Sequence, residues 1–356
     1  MNTFKVGTII NPFKGSIRNA SPIYSEVSLN YPARLNAMAL DPSQIDVSEK
    51  GIYKPGEIIF SIDIFKNVSI SIRPDKEIII SDTSPRKQLI RHAVLLIQQA
   101  LGVDDGLDID VETIDLRHCG LGSSSGLIAS VAAAINELYG LPIKKTDLIP
   151  YLAQNHGEEI DGNNDQLQHV QCIGGSAASG LACGGMKIIA GESVPIATMN
   201  IDSSYCVLIG IPNDFVAPDA QYLMELEISN MSKFVATGNK YRDKIGYRVT
   251  HEVIPAMINN NLQDASSLVF DYRFDYGSIE NCSFVYPRTI EIAKGIRYLY
   301  QDGIADTLAL SSVGPAFFAI TRYPEKCRPA FEENNLKIYE AKIVNDGYKI
   351  VKTKAI

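Results

Sequence analysis

Tryptophan is absent from the chain, histidine occurs only five times, and no stretch approaches the ~20 consecutive apolar residues that a membrane-spanning helix requires. The last absence excludes an integral helical membrane protein. Cys-x-x-Cys is missing too: the six cysteines, at 119, 172, 183, 206, 282 and 327, show neither zinc-ligand nor disulfide-framework spacing. Scattered thiols of that kind fit a reducing compartment. Positive charge is in deficit, with 33 Lys and Arg against 41 Asp and Glu and a net charge of -8, which argues against a general binder of nucleic acid or anionic membrane. No secretory leader is read at Met1–Ile10, which is soon interrupted by Asn11-Pro12. A soluble, cytoplasmic protein that handles a small molecule is expected, with a homo-oligomer left open.

What is present has ordinary globular composition, 46% hydrophobic and 21% charged, in 356 residues that suit two domains or one large one. Residues 1–28 mix Pro, Gly, Asn and Ser and read as an arm or edge strand with little independent structure. A strand follows over 27–41, then two alternating stretches, 58–64 and 68–74, with a tight turn expected at Lys66-Asn67. Residues 87–102 have helical periodicity and 107–114 alternate as a strand with one wet face. After a small-residue stretch at 174–189, the second half restarts with a central-looking strand at 204–212. It closes with a helix at 289–300, a turn and strand at 309–321, a helix at 326–334 and a last strand at 337–343. This grouping is α+β rather than a regular βα repeat.

The stretch with chemical content is Gly120-Leu121-Gly122-Ser123-Ser124-Ser125-Gly126, which joins the strand at 107–114 to an alanine-rich helix running to Gly140. The first turn of a helix leaves backbone N–H groups without partners, and its dipole favours negative charge. Phosphate suits such a position. Glycines 120, 122 and 126 allow close main-chain approach, while Ser123, Ser124 and Ser125 offer hydroxyls to an anion or a magnesium ion. There is no lysine at Walker spacing and no G-x-G-x-x-G pattern. Downstream, Glu158, Glu159, Asp161 and Asp165 crowd a Gly- and Asn-containing turn, which suits either a cation site or a solvated loop.

Gly120–Gly126 resembles the phosphate loop of the GHMP kinases (galactokinase, homoserine kinase, mevalonate kinase, phosphomevalonate kinase). Pro32-Ala33-Arg34-Leu35-Asn36 is similar to that superfamily's first motif, and Ser311-Ser312-Val313-Gly314-Pro315 to its third, with Ser312 in place of a usual glycine. The resemblance implies a two-domain α+β fold: a ribosomal-protein-S5-domain-2-like half at 29–192 and a ferredoxin-like half at 193–356. It implies ATP as substrate and Mg2+ as cofactor, with phosphates held by Gly120–Gly126, Ser312 and Gly314. Magnesium would lie on Ser124 and on Glu158 or Glu159, with Asp161 a competitor. Asp165, followed by Gln166, would take the acceptor proton, and Arg34 would neutralise the transferred charge. Residues 174–189 resemble the Gly-Gly hairpin that passes under the loop. The activity implied is transfer of the γ-phosphate to a hydroxyl of a sugar or mevalonate-like metabolite. Val253–Met257 together with Ser311–Pro315 also looks like β-ribofuranosylaminobenzene 5′-phosphate synthase, which implies phosphoribosyl transfer as the alternative. A non-catalytic nucleotide-binding relative is the third reading.

Overall fold

The computed structural model describes residues 3–15, 20–44, 55–114, 116–160, 162–170 and 172–356. A short strand β1 (Thr3–Lys5) precedes two long ones, β2 (Tyr24–Ala39) and β3 (Glu57–Arg73). The sequence-predicted turn at Lys66-Asn67 does not form. Both residues pair with Tyr31 and Asn30 of β2 on one side and with Thr113 and Glu112 on the other, so β3 is a central strand with no free edge at which to turn. Then come β4 (Ile78–Ile80), α1 (Lys87–Leu101), β5 (Gly106–Thr113), α2 (Ser123–Leu138) and α3 (Lys145–Gln154). The hairpin β6 (Gly157–Ile160) and β7 (Asn163–His169) takes β1 as a third strand, so the N-terminal residues supply an edge strand, one of the two forms expected of them. The small-residue stretch is a short helix, α4 (Gly175–Leu181), followed by β8 (Met186–Ala190) and β9 (Val194–Met199).

The second unit contains β10 (Cys206–Pro212), the long helix α5 (Ala220–Arg248), several short helices, β11 (Thr307–Leu310), β12 (Phe317–Thr321), a helix at Pro324–Glu333, and β13 (Leu336–Ala341). Its sheet order, β11-β12-β10-β13, is the antiparallel ferredoxin-like arrangement expected from the sequence. A final strand, β14 (Lys349–Ala355), went unread in the sequence because its side chains are mostly exposed and charged. It returns to the first sheet, in the order β14-β2-β3-β5-β4, and β9 also belongs there through β8. The division after residue 192 thus falls at the β8–β9 hairpin rather than between units. Val253, Ala256 and Met257, part of the synthase-like stretch, are buried in the core shared by β2, β3 and the second unit, and that packing accounts for their apolar character. No helix among the described residues is long and apolar enough to cross a membrane.

A register shift between Pro32 and Ala33 positions the site. Before it, Val27, Leu29 and Tyr31 enter the core under α1 and α2; after it, Ala33, Leu35 and Ala37 enter the core facing the second unit. A bulge re-aims the side chains of its strand, and here it leaves Arg34 and Asn36 on the opposite face, toward the start of α2. Helix α2 is apolar nearly all round, and Leu127 to Ile135 are buried without a break, so its first turn is held fixed by the core behind it.

Candidate active site

Gly122 stands at the N-cap of α2 with φ 66° and ψ 46°, in the left-handed region that glycine tolerates without cost. A Cβ there would lie 2.1 Å from Ser176 Oγ and 3.2 Å from Arg34 Nε, and one on Gly120 would lie 2.2 Å from the Ser311 carbonyl oxygen. The three motifs singled out in the sequence meet at this point. Arg34 Nη1 donates to the Gly120 carbonyl at 3.2 Å and Ser311 Oγ donates to the same oxygen at 2.7 Å. Asn36 N–H donates to Ser311 Oγ at 3.0 Å, and Ser312 N–H to the Asn36 carbonyl at 3.0 Å. Gly120, Gly122, Ser123 and Ser125 are half-buried, whereas Ser124 and Gly126 are buried and Leu121 packs into the core toward the second unit. Among the described residues no side chain caps the first amides of α2.

Three cations surround that helix start. Besides Arg34, Lys66 reaches it from β3, with Nζ 2.8 Å from where a Cβ on Gly126 would sit. Burial, then the neighbouring charges of Arg86 and Arg34, push the Lys66 ammonium down to about 8. Like charges held this close favour an incoming anion, whose arrival would relieve their repulsion. Arg86, the third, precedes α1 in a left-handed conformation, φ 52° and ψ 52°. Its Nη2 donates to Ser124 Oγ at 2.8 Å and to Glu158, and its Nε lies 2.6 Å from Glu159 Oε1.

The predicted metal-binding residues Ser124 and Glu158 are therefore together, with Ser124 Oγ also donating to Glu158. Glu159 shares Arg86 and accepts from Gln88 Nε2 at 3.2 Å. Burial raises both acids, but for Glu158 the Arg86 charge, His156 and the Ser124 hydroxyl outweigh it and hold the carboxyl below its usual range. Glu159 stays above it, because burial and the adjacent Glu158 outweigh Arg86. Hard oxygen donors already gathered around a cation fit magnesium chemically. Asp161 lies outside the described residues. Ser312, φ 56°, gives its carbonyl to Arg273 and lines a cavity, whereas Gly314 only closes the turn through its N–H to Ser311.

Asp165 is a correction. It is an exposed residue of β7, its N–H bonded to Asn163 Oδ1 at 3.0 Å, and it is not among the residues lining either main cavity. The segment forms a hairpin that adds β1 at Lys5↔Gln166; Asp165 and Gln166, toward its turn, are both exposed, whereas Leu167 and Gln168 are buried.

The larger cavity, about 930 Å³, is lined by Arg34, Ser125, His156, Ser176, Glu227 and Arg273, among others. A smaller one, about 510 Å³, lies against Leu116–Cys119, which lead into the loop, and Glu159. Three buried polar atoms around the larger cavity have no hydrogen-bond partner among the described residues: Arg34 Nε, His156 Nδ1 and Ser176 Oγ. Buried polar atoms are normally satisfied, so orphans converging on one cavity mark a ligand's place. Burial drives His156 down to about 4, against the pull of Glu158, which leaves the imidazole neutral near pH 7. Glu227 of α5, half-buried on the cavity wall, is pushed up to about 7 by burial and then by the charge of Glu158. Arg273 has all five N–H groups occupied, by the Ala37, Asn36 and Ser312 carbonyls, Asn36 Oδ1 and Ser278 Oγ, and acts as a strut between the two units. Sequence reasoning missed Glu57, Lys66, Arg86, Ser176 and Glu227. No short motif marks them, since they reach the site from β3, the residue before α1, α4 and α5.

The GHMP kinases N terminal domain family matches residues 88–175, which run from α1 through the loop to the start of α4. A homoserine kinase of Thermoplasma volcanium is 26% identical over 183 residues, a stretch covering 50% of this chain and 56% of that protein. The chain thus spans about half the length of the curated relative it matches. Among solved structures, a homoserine kinase from Cytophaga hutchinsonii superposes with TM-score 0.60 at 14% identity, covering 96% of this chain and 100% of that one. A Lactococcus lactis galactokinase complexed with galactose gives 0.64 at 12% identity, with 91% and 95% covered. At such identities these two carry the fold alone.

Proposed function

We propose, from the premise that residues 88–175 are a GHMP kinase N-terminal domain, that this protein is an ATP- and magnesium-dependent kinase that phosphorylates a hydroxyl of a small metabolite. The observation that carries this reading is the start of α2, uncapped by side chains among the described residues and ringed by Arg34, Lys66 and Arg86, with one cavity lined by Ser125 and a second by Leu116–Cys119 just ahead of the loop. One cavity is needed for the nucleotide and one for the acceptor. In-line phosphoryl transfer asks little covalent chemistry of a protein: it needs placement, charge neutralisation and an acceptor for one proton.

In this reading the amides of 123–125 bind phosphate oxygens, and Lys66 and Arg34 balance the charge that builds on the transferred group. Ser124 and Glu158 would hold magnesium, which would supply neutralisation of phosphate charge. Ser176 Oγ and His156 Nδ1 orient the acceptor by hydrogen bonds. Since Asp165 faces solvent, the carboxylate assigned to the acceptor proton is Glu227, which stands on the cavity wall with a pKa near the working pH.

The test is phosphoryl transfer from ATP to a panel of alcohols that includes homoserine, mevalonate and galactose, followed by phosphorus NMR. A new phosphomonoester is expected with one acceptor class. Equal ADP release with and without every acceptor would overturn the kinase reading. Glu227→Gln should lower turnover by about 10²-fold or more, the usual contribution of a positioned base. Unchanged turnover in that variant would remove Glu227 from the mechanism.

A further inference from the structure

The proposed magnesium position is already filled by a side chain of the protein. The Arg86 fork spans the donors that a metal ion there would need, with Nη2 on both Ser124 Oγ (2.8 Å) and Glu158, Nη1 3.3 Å from Ser123 Oγ, and Nε beside Glu159. This is not a loose surface pair. The Arg86 side chain is only 7% exposed and that of Glu158 14%. The arginine is also aimed by its backbone, since a non-glycine residue at φ 52° and ψ 52° is disfavoured unless its surroundings compensate.

We propose that Arg86 is a built-in counter-cation that competes with the divalent ion at Ser124 and Glu158, so that the metal enters only when the guanidinium swings away. The inference rests on the kinase reading of these two residues and adds a regulation to it. Arg86 Nη2 already holds Ser124 Oγ and Glu158, the two groups the metal would take, so an ion that takes both displaces it, and Arg86 closes the metal-free site. Released from Glu158, the guanidinium remains tethered at the start of α1, beside the Ser123 hydroxyl and within the field of Lys66, where an incoming polyphosphate supplies it with a new partner. Metal and nucleotide thereby favour each other's binding through one movable side chain, because each ligand binds better to the Arg86-out state than to the Arg86-in state.

The binding-competent state is populated only in part, and apparent affinity for the metal falls by that fraction, so removing Arg86 should tighten it by about tenfold or more. The experiment is Mn2+ binding without nucleotide, read by electron paramagnetic resonance and calorimetry, for wild type, Arg86→Gln, Arg86→Gly and Glu158→Gln. The glycine variant suits the left-handed backbone and guards against a folding defect in the glutamine one. Tighter Mn2+ binding in both Arg86 variants, and loss of binding in Glu158→Gln, is expected. If the Arg86 variants bind Mn2+ like wild type while Glu158→Gln abolishes binding, the competition is wrong and the metal pair stands. If Glu158→Gln binds as wild type, the metal pair itself is wrong. Diffraction from the Mn2+-soaked wild type should show the guanidinium detached from Glu158; a metal peak beside an unmoved Arg86 would overturn the proposal.

Discussion

Helices α2 and α4 start in the same way and are completed differently. Each follows a glycine in the left-handed region, Gly122 at φ 66° and Gly174 at φ 110°, and each opens with small residues. At α4 the protein supplies its own anion: the buried carboxylate of Glu57 accepts the Gly175 N–H at 2.6 Å, and a Cβ on Gly175 would meet it at 2.4 Å. At α2 the surrounding charges are Arg34, Lys66 and Arg86, and Glu158 beside them bonds the Arg86 and Ser124 side chains and, among the described residues, no main-chain amide of the first turn. One helix start is closed from within, and the other is left for a ligand. A glycine-serine run does not by itself make a phosphate site; what distinguishes the two is which charge the neighbouring strand β3 presents, Glu57 near its beginning or Lys66 further along.

The sharpest break of this contrast is Arg34→Ala, which removes the cation facing both Gly120 and the larger cavity. Turnover should fall by about 10³-fold or more, the scale of an arginine acting on a transferred phosphoryl group. Steady-state kinetics beside a denaturation curve checks it, and a comparable fall in folding stability would mean that Arg34 is structural instead. At the other helix, Glu57→Gln replaces an acceptor of two N–H bonds, from Gly175 and Asn36, with a group that is half donor. It should cost about 2 to 4 kcal/mol in urea unfolding, because a buried donor loses its charged acceptor.

A pH experiment separates the two regions further. His156, buried at the α2 side, has its folded pKa lowered to about 4. The unfolded chain therefore binds more protons between about 6.5 and 4, and stability falls as pH drops through that window. Relative to His156→Gln, the wild type should lose on the order of 2 kcal/mol between pH 7.5 and pH 5, or 1.4 kcal/mol per pH unit below 6.5. Identical pH profiles would show that His156 is not held neutral. Glu227, raised to about 7, works in the opposite sense and is common to both proteins, so it cancels in the difference. The smallest effect belongs to Asp165→Asn: an exposed residue outside both cavities should change turnover by less than about twofold and stability within about 0.5 kcal/mol. A large kinetic loss there would restore the acid that the sequence favoured.

The legible part of the site was its main chain. Gly120 and Gly122 announce close main-chain approach and take positive φ, whereas the positive φ of Ser312 carries no signal in its residue type; α2 announces burial through its alanines. The ferredoxin-like half was legible as alternating strands and periodic helices in the right order. What was hidden depends on pairing across long sequence distances. Lys66 reads as a turn because Lys-Asn is turn-like, and only its neighbours in β2 and β5 make it a strand residue aimed at Gly126. Arg86 reads as part of an ordinary helix start, 72 residues from the Glu158 it holds. Asp165 was misplaced because its hairpin takes β1 as an edge strand, a pairing that no local pattern reports.

The central claim is that the start of α2 takes its anion from outside, whereas α4 carries its own. The most direct measurement is diffraction from crystals containing a non-hydrolysable ATP analogue. The account predicts phosphate oxygens within hydrogen-bond distance of the amides of residues 123–125, flanked by Arg34 and Lys66, with the Glu57 bond to Gly175 intact. A nucleotide seated elsewhere while residues 120–126 keep their conformation and contact no phosphate would contradict it.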